Sequence, residues 1–384
     1  MACNVSDCPY GKKCYRKNPE HFKEFNHPHL DEPKAKKAKV EENKITDPEI
    51  ELDKNSPEPN NESEEEKQSE SETVEDDDKL DSTDISNVIK LKYKVAMPKD
   101  FFDFYEFAKS VNSKNPCDAL NSINLTLVGP FEFLSGQYKR HSKKTCYLTY
   151  WRYYYDPPEF LTVVQGDKRA QFHIGYFRDD PENMPDFVAF NEAKNSCQIK
   201  PKGENLFAAI KCYIDGFVKE NPIKKTHAIK ILTDLGEYAK KLSYSLDVKT
   251  PKMKKRDKLV NSKTFHGAGI CVPVDDNDIG YRPLPDTPGE LKKILKKIES
   301  SEEGAERNKA FDPLMETIMC VQFANDECDY GQGLELGIDL FSYGSDIFHS
   351  QILNVLPLAY ELLGRNEYGE IIKAHLKNRK VVLP

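Results

Sequence analysis

Residues 315–341 read METIMCVQFANDECDYGQGLELGIDLF, an apolar stretch broken within four positions by Asp326, Glu327 and Asp329. After the break, Leu334, Leu336, Ile338 and Leu340 alternate with Glu335, Gly337 and Asp339. That is the period of a strand with one buried face. The spacing therefore predicts a strand over residues 334–341 and puts the acidic cluster, residues 326–329, in the loop that enters it. A loop held on a rigid scaffold is a common place for chemistry, although an acidic loop tip also has reason simply to face water.

Working outward, residues 89–384 read as one body. Apolar residues recur at three- and four-residue spacing in DFFDFYEFAKSV (100–111), ENLFAAIKCYIDGF (204–217) and THAIKILTDLGEYAKKL (226–242), which predicts helices. In TPGELKKILKKI (287–298), Thr287 is placed to cap a further helix and Pro288 suits its first turn. Glu290 completes a capping box, and Leu291, Ile294, Leu295 and Ile298 form an apolar face. Strands are expected in CYLTYWRYYYD (146–156), EFLTVVQGD (159–167), AQFHIGYFRDD (170–180) and DFVAFN (186–191), divided by Pro, Gly and Asp turns. Strands that follow one another without intervening helices favour an α+β body with a mixed or antiparallel sheet and packed helices.

Residues 31–88 are rich in Glu, Asp, Ser, Pro and Asn and poor in aromatics, the composition of a disordered acidic linker. Residues 41–81 hold 18 acidic residues against 4 lysines, a net of −14 within a chain whose total is −8, so the remainder is mildly basic at +6. Such a balance permits an anionic partner but gives no ground for dominant direct DNA binding. Within the linker, PKAKKAKV (33–40) is a lysine cluster of the kind that serves as a nuclear localisation signal, and equally of the kind that is only a solvated basic patch. No run of about 18 apolar residues and no signal-peptide pattern is found, so the expectation is an intracellular chain with no membrane partner. The ten cysteines are scattered except near the start, which suggests metal binding there and ordinary buried thiols elsewhere.

Residues 1–30 carry Cys8, Cys14, His21 and His27 at regular spacing. Two thiolates and two imidazoles are the donor set of a closed tetrahedral zinc site, and so short a segment has little other means of folding. Cys3 is a substitute ligand of lower rank. In its sequence CPYGKKCYRKNPEHFKEFNHPH, the head resembles the poly(ADP-ribose)-binding zinc finger. That resemblance implies zinc on Cys8, Cys14, His21 and His27, and contacts to ADP-ribose from Tyr10, Tyr15 and Arg16. The chemistry suits those roles, since aromatic rings stack on adenine and a guanidinium pairs with pyrophosphate oxygens. The family's usual Gly-Asp after His-Pro is here His29-Leu30-Asp31.

In GYRPLPDTPGEL (280–291) and VQFANDECDYGQGLELGIDLF (321–341), the body resembles the histone PARylation factor family. The resemblance implies an accessory subunit for DNA-damage-activated poly(ADP-ribose) polymerases, acting on histones in the nucleus at sites of damage and repair. It also implies that Glu327 completes the partner's active site, as a general base for serine ADP-ribosylation. A serine hydroxyl is protonated at neutral pH, whereas a carboxylate is ionised and able to accept its proton. Arg282 would hold the acidic loop or contact the polymerase, Asp326 and Phe323 would lie at the interface, and Tyr281 would support Arg282. NAD would be bound by the polymerase, because Gly331, Gly333 and Gly337 have the wrong spacing for a dinucleotide loop.

Other readings remain open to the sequence. The acidic cluster lacks the spacing of a calcium loop, and no second carboxylate can be identified for glycoside hydrolysis. At the level of the whole chain, the alternatives are a non-catalytic poly(ADP-ribose) reader or adaptor and an autonomous hydrolase that removes ADP-ribose.

Overall fold

The structure, a computed structural model, describes residues 84–379. Asp84 caps α1 (Ile85–Tyr93), its carboxylate accepting from the backbone N–H groups of Ser86 and Asn87. Residues 85–88, assigned above to the linker, are thus helical, and residues 1–83, with the rest of the linker and the whole finger, lie outside the described residues. The periodicity at 100–111 is realised as α2 (Lys99–Val111), which buries Phe101, Phe104, Phe107 and Ala108. A short β1 (Thr126–Leu127) and α3 (Pro130–Leu134) follow.

Residues 146–156 were expected to be a strand and instead form successive turns. The N–H groups of Thr149, Arg152 and Asp156 each bond to the carbonyl three residues back, and Trp151 takes a left-handed φ of 57°. The aromatic run is spent on separate anchors. Tyr153 stacks on His173 at 3.8 Å, Trp151 Nε1 donates to Glu132 at 2.8 Å, and the buried Arg152 guanidinium donates to the carbonyls of Pro157 and Phe160. Side chains that point in different directions to satisfy different partners carry no strand period, which is why composition misled here.

The other three strand expectations hold, as β2 (Phe160–Gln165), β3 (Phe172–Phe177) and β4 (Phe187–Glu192). With β1 and β5 (Lys200–Gly203) they make a five-stranded sheet in the order β1-β2-β3-β4-β5, antiparallel throughout. Alternation along these strands divides two apolar layers. Leu161, Val163, Ile174, Tyr176, Val188 and Phe190 join the main core, while Phe160, Phe177, Phe187 and Ala189 face a second cluster that includes Met253 and Ala268. Being covered on both sides, the sheet holds long apolar runs. At Gly175 an added Cβ would lie 2.5 Å from Leu161 O, so only glycine lets β2 and β3 approach there.

α4 (Leu206–Glu220) and α5 (Lys225–Lys241) realise the helices expected at 204–217 and 226–242. The short α6 (Pro251–Asp257) covers the second layer, and its Arg256 lies over the stacked rings of Phe177 and Phe187 while pairing with Asp179 at 2.6 Å. α7 (Pro288–Ser300) has the expected capping box between Thr287 and Glu290, and buries Leu291, Leu295 and Ile298 with Ile294 at the margin of the core. The chain ends in α8 (Ala305–Asp326), α9 (Tyr330–Tyr343), α10 (His349–Leu362) and α11 (Asn366–Asn378).

α9 overturns the strand expected at 334–341. It is a helix in which every residue from Gly331 to Ser342 is buried. Leucines at alternate positions meet partners all around its circumference, so no solvent face exists to impose a 3.6-residue period. The intervening polar residues are buried and satisfied. Glu335 accepts from Ser262 Oγ at 2.6 Å and Tyr281 OH at 2.9 Å, and Asp339 accepts the Phe265 N–H at 2.6 Å. At Gly337 an added Cβ would meet Leu356 Cβ of α10 at 2.7 Å. The sequence alternates because a central helix needs two internal acceptors and one close approach.

None of the described cysteines forms a disulfide with another described one, but only Cys117 is fully buried, and Cys146 and Cys320 are exposed, against the expectation of buried thiols. Among the described residues no helix is long and apolar enough to cross a membrane.

Candidate functional site

The acidic residues sit at a tight corner between two helices. α8 ends at Asp326, and the Glu327 N–H bonds back to the carbonyls of Phe323 and Ala324. Cys328 turns the chain through a left-handed φ of 70°, after which the Asp329 N–H closes onto Ala324 O at 2.8 Å. A left-handed residue just past a helix end is the usual way to stop one helix and start another, though glycine normally fills it. The corner throws Glu327 outward, with 58% of its side chain exposed, and turns Asp329 inward, at 9%.

A second segment is stitched to this corner. Gly280 donates its N–H to Asp329 Oδ1 at 2.9 Å, and its carbonyl accepts the Gly331 N–H at 2.9 Å. Downstream, Gln332 Nε2 donates to Pro283 O at 2.7 Å, and Thr317 Oγ1 of α8 donates to Asp286 at 2.6 Å. Between these ties, Tyr281 is anchored on buried Glu335 and Arg282 projects over the corner. Burial first, then the Glu335 carboxylate, push the Tyr281 phenol well above its ordinary pKa, so it stays a donor. Arg282 Nη2 reaches both Glu327 Oε2, in a short contact, and Asp329 Oδ2 at 2.9 Å. The hydrogen bond to Glu327 raises the guanidinium pKa further.

Sequence reasoning named Tyr281, Arg282 and Glu327, and the structure brings them together as an anchor, a clamp and an exposed carboxylate. Asp326, the last residue of α8, is exposed at the same corner. Phe323 lies one turn earlier with 58% exposure, and Met319 and Met315 continue the line at four-residue intervals, each 48% exposed. Three large apolar side chains in a row leading to an exposed acid form a patch of the kind that marks an interface. Two features were missed. Asp329 holds Arg282 from beneath, and the methionine strip was hidden because METIMCVQF was read only as apolar. The four-residue spacing of Met315, Met319, Phe323 and Glu327 was the available signal.

Gly331, Gly333 and Gly337 lie inside α9 as packing positions, not in or before a strand. Cys8, Cys14, His21 and His27, with Tyr10, Tyr15 and Arg16, lie outside the described residues. Among the described residues no group of three side chains is placed to hold a metal ion, and at the acidic corner the guanidinium occupies the space between the two carboxylates.

Glu327 lines neither the cavity of about 540 Å³ beside α2 and α3 nor the one of about 360 Å³ beside α7. An exposed acceptor with a rigid backing is half of a site. It can take a proton from a group presented by another surface.

Comparison with known proteins locates two regions of similarity. The family model described as Histone PARylation factor 1 matches residues 84–379, and that of the PBZ domain matches residues 6–30. Histone PARylation factor 1 of Mus musculus is 49% identical over 304 residues, covering 78% of this chain and 88% of the relative. Its counterpart in Danio rerio is 46% identical over 309 residues, covering 80% and 89%. A stretch of 27 residues, 7% of this chain, is 70% identical to part of Tyrosyl-DNA phosphodiesterase 1 of Drosophila melanogaster, of which it covers 5%.

Proposed function

Because the chain belongs to the Histone PARylation factor 1 family and carries a PBZ zinc-finger domain, we propose that it completes the active site of a poly(ADP-ribose) polymerase for transfer of ADP-ribose to serine. Glu327 is the general base. The observation that carries this reading is the exposed Glu327 carboxylate, fixed by Arg282 at a helix corner, beside an apolar strip.

The polymerase binds NAD and presents the anomeric carbon of its ribose. Glu327 accepts the proton of the acceptor serine hydroxyl as the oxygen bonds to that carbon and nicotinamide departs with the electron pair of the broken glycosidic bond. When the sugar has strong oxocarbenium character, late proton acceptance by a weak base is enough. Arg282 and Asp329 set the direction of the carboxylate, which matters because small misplacements of a reacting group cost large factors in rate. Asp326, Phe323, Met319 and Met315 face the polymerase.

The protein substrates are histones among others, the finger retains poly(ADP-ribose) through Tyr10, Tyr15 and Arg16, and the lysine cluster at residues 33–40 directs the chain to the nucleus. The test is reconstitution of a DNA-activated polymerase with NAD and a histone peptide whose only acceptor is serine. Transfer that requires this chain, and is lost with Glu327→Gln while the complex still forms, supports the assignment. Transfer that survives the substitution sinks it. If the chain binds polymer and polymerase but serine is never modified, the protein is an adaptor.

A further inference from the structure

At the opposite end of α9 from the acidic corner, about 20 Å away by the rise of 1.5 Å per residue, lies a cavity of about 360 Å³ between α7, the last turn of α9 and the turn-rich segment before β2. Its rim carries Lys292 and Lys296, one helical turn apart on α7 and both exposed. Neither has a carboxylate partner among the described ion pairs. Lys292 Nζ instead sits 4.5 Å above the Phe265 ring. The walls include the half-buried rings of Tyr155 and Tyr343. On the floor is Ser342, 2% exposed, whose hydroxyl oxygen has no hydrogen-bond partner.

Two carboxylates, Glu299 and Asp339, stand near the two lysines and offset part of their charge. Glu299 accepts from Tyr343 OH at 2.8 Å. Asp339, one turn below Ser342, accepts from the Phe265 N–H, and burial pushes its carboxyl up to about 7, so its negative charge is partly quenched at neutral pH. The carbonyl end of α9, which would repel an anion, is already answered by Arg379, whose Nη2 donates to Phe341 O at 2.8 Å.

We infer that this cavity binds a nucleoside diphosphate, with the two phosphates between Lys292 and Lys296 and the base against the tyrosine rings. Side chains at i and i+4 on a helix stand about 6 Å apart, a spacing that spans a pyrophosphate. The volume lies within the roughly 300–1,000 Å³ of small-ligand sites, and is large enough for one base with its phosphates. A ligand hydroxyl or phosphate oxygen would also give Ser342 the partner it lacks, and buried hydroxyls left unpaired are uncommon. The site is independent of the Glu327 chemistry, so each stands or falls alone.

The test is calorimetric titration of the full-length chain carrying Arg16→Ala, which weakens any nucleotide contact at the finger, with ADP, pyrophosphate and adenosine as separate probes. ADP should bind with a stoichiometry near one, more tightly than either fragment, and more weakly as salt rises. Lys292→Gln with Lys296→Gln should weaken ADP at least tenfold without changing the melting temperature. Tyr343→Leu should weaken ADP but not pyrophosphate. The inference is overturned by undetectable ADP binding, by ADP affinity unchanged in the double lysine variant, or by either fragment binding as tightly as ADP.

Discussion

Arg282 and Glu327 are 45 positions apart in the chain, yet Nη2 of one contacts Oε2 of the other. The pairing depends on two buried supports, Asp329 beneath the guanidinium and Glu335 beneath the Tyr281 ring. An ion pair half open to solvent contributes little to stability. Its value here is directional, since it determines where a free-standing carboxylate points.

Removing the carboxylate without changing its shape isolates its chemistry. Glu327→Gln should leave the melting temperature and polymerase binding unchanged and lower serine transfer by roughly 10²–10⁴-fold, the range of general acid–base contributions. Single-turnover transfer to a serine peptide checks this, and residual transfer near wild type would refute the role.

Removing the clamp has a different signature. Arg282→Ala should change the melting temperature only slightly, because the lost pair is exposed, while serine transfer falls strongly. Asp329→Asn should weaken transfer less, since the amide oxygen still accepts from Gly280. Comparable losses of melting temperature and transfer in Arg282→Ala would mean that the residue is structural.

The helical nature of residues 330–343 can be tested by volume. Gly337→Val would force atoms into Leu356 and should destabilise the body by about 1–3 kcal/mol, as overpacking does. Gly289→Ala, where nothing lies within 4 Å, should be neutral or slightly stabilising. Urea unfolding of both variants decides the matter. On a solvent-facing strand, Val at position 337 would be favourable.

Asp339 makes stability depend on pH in a specific sense. Its folded pKa of about 7 lies above the ordinary 3.8, so the folded chain keeps a proton that the unfolded chain has released. Its contribution to stability is therefore lost as pH rises from about 4 to about 7 and is level above that. Asp339→Asn keeps an acceptor for the Phe265 N–H and cannot ionise. Its melting temperature relative to wild type should be higher at pH 8 than at pH 5, and an equal difference at both would show that Asp339 does not titrate in this way.

Zinc removal should separate the two ends of the chain. Chelation, or Cys14→Ser, should abolish poly(ADP-ribose) binding and leave the thermal unfolding of the body unchanged. Polymer binding that persists without zinc would overturn the ligand set of Cys8, Cys14, His21 and His27.

What the sequence determined by itself is local or compositional. The capping box at Thr287 and Glu290, the amphipathic faces of α2, α4, α5 and α7, and the alternating runs of β2, β3 and β4 each follow from neighbours within a few residues. The stretches around Glu327 and Arg282 carry the motifs that single these residues out, and the zinc ligand set remains a reading of residues outside the described structure. Tertiary structure decided the rest. Residues 334–341 alternate like a strand, but α9 is enclosed on every side, so each polar position could be buried against a partner 54 to 74 residues away: Tyr281, Ser262 or Phe265. Residues 146–156 have the composition of a strand, but their side chains are drawn to Glu132, His173 and the carbonyls of Pro157 and Phe160, in directions no single strand can serve. Local pattern reports a segment's preference for a surface with one wet face. Where the fold leaves no wet face, or sets several distant partners around a segment, those partners decide its conformation.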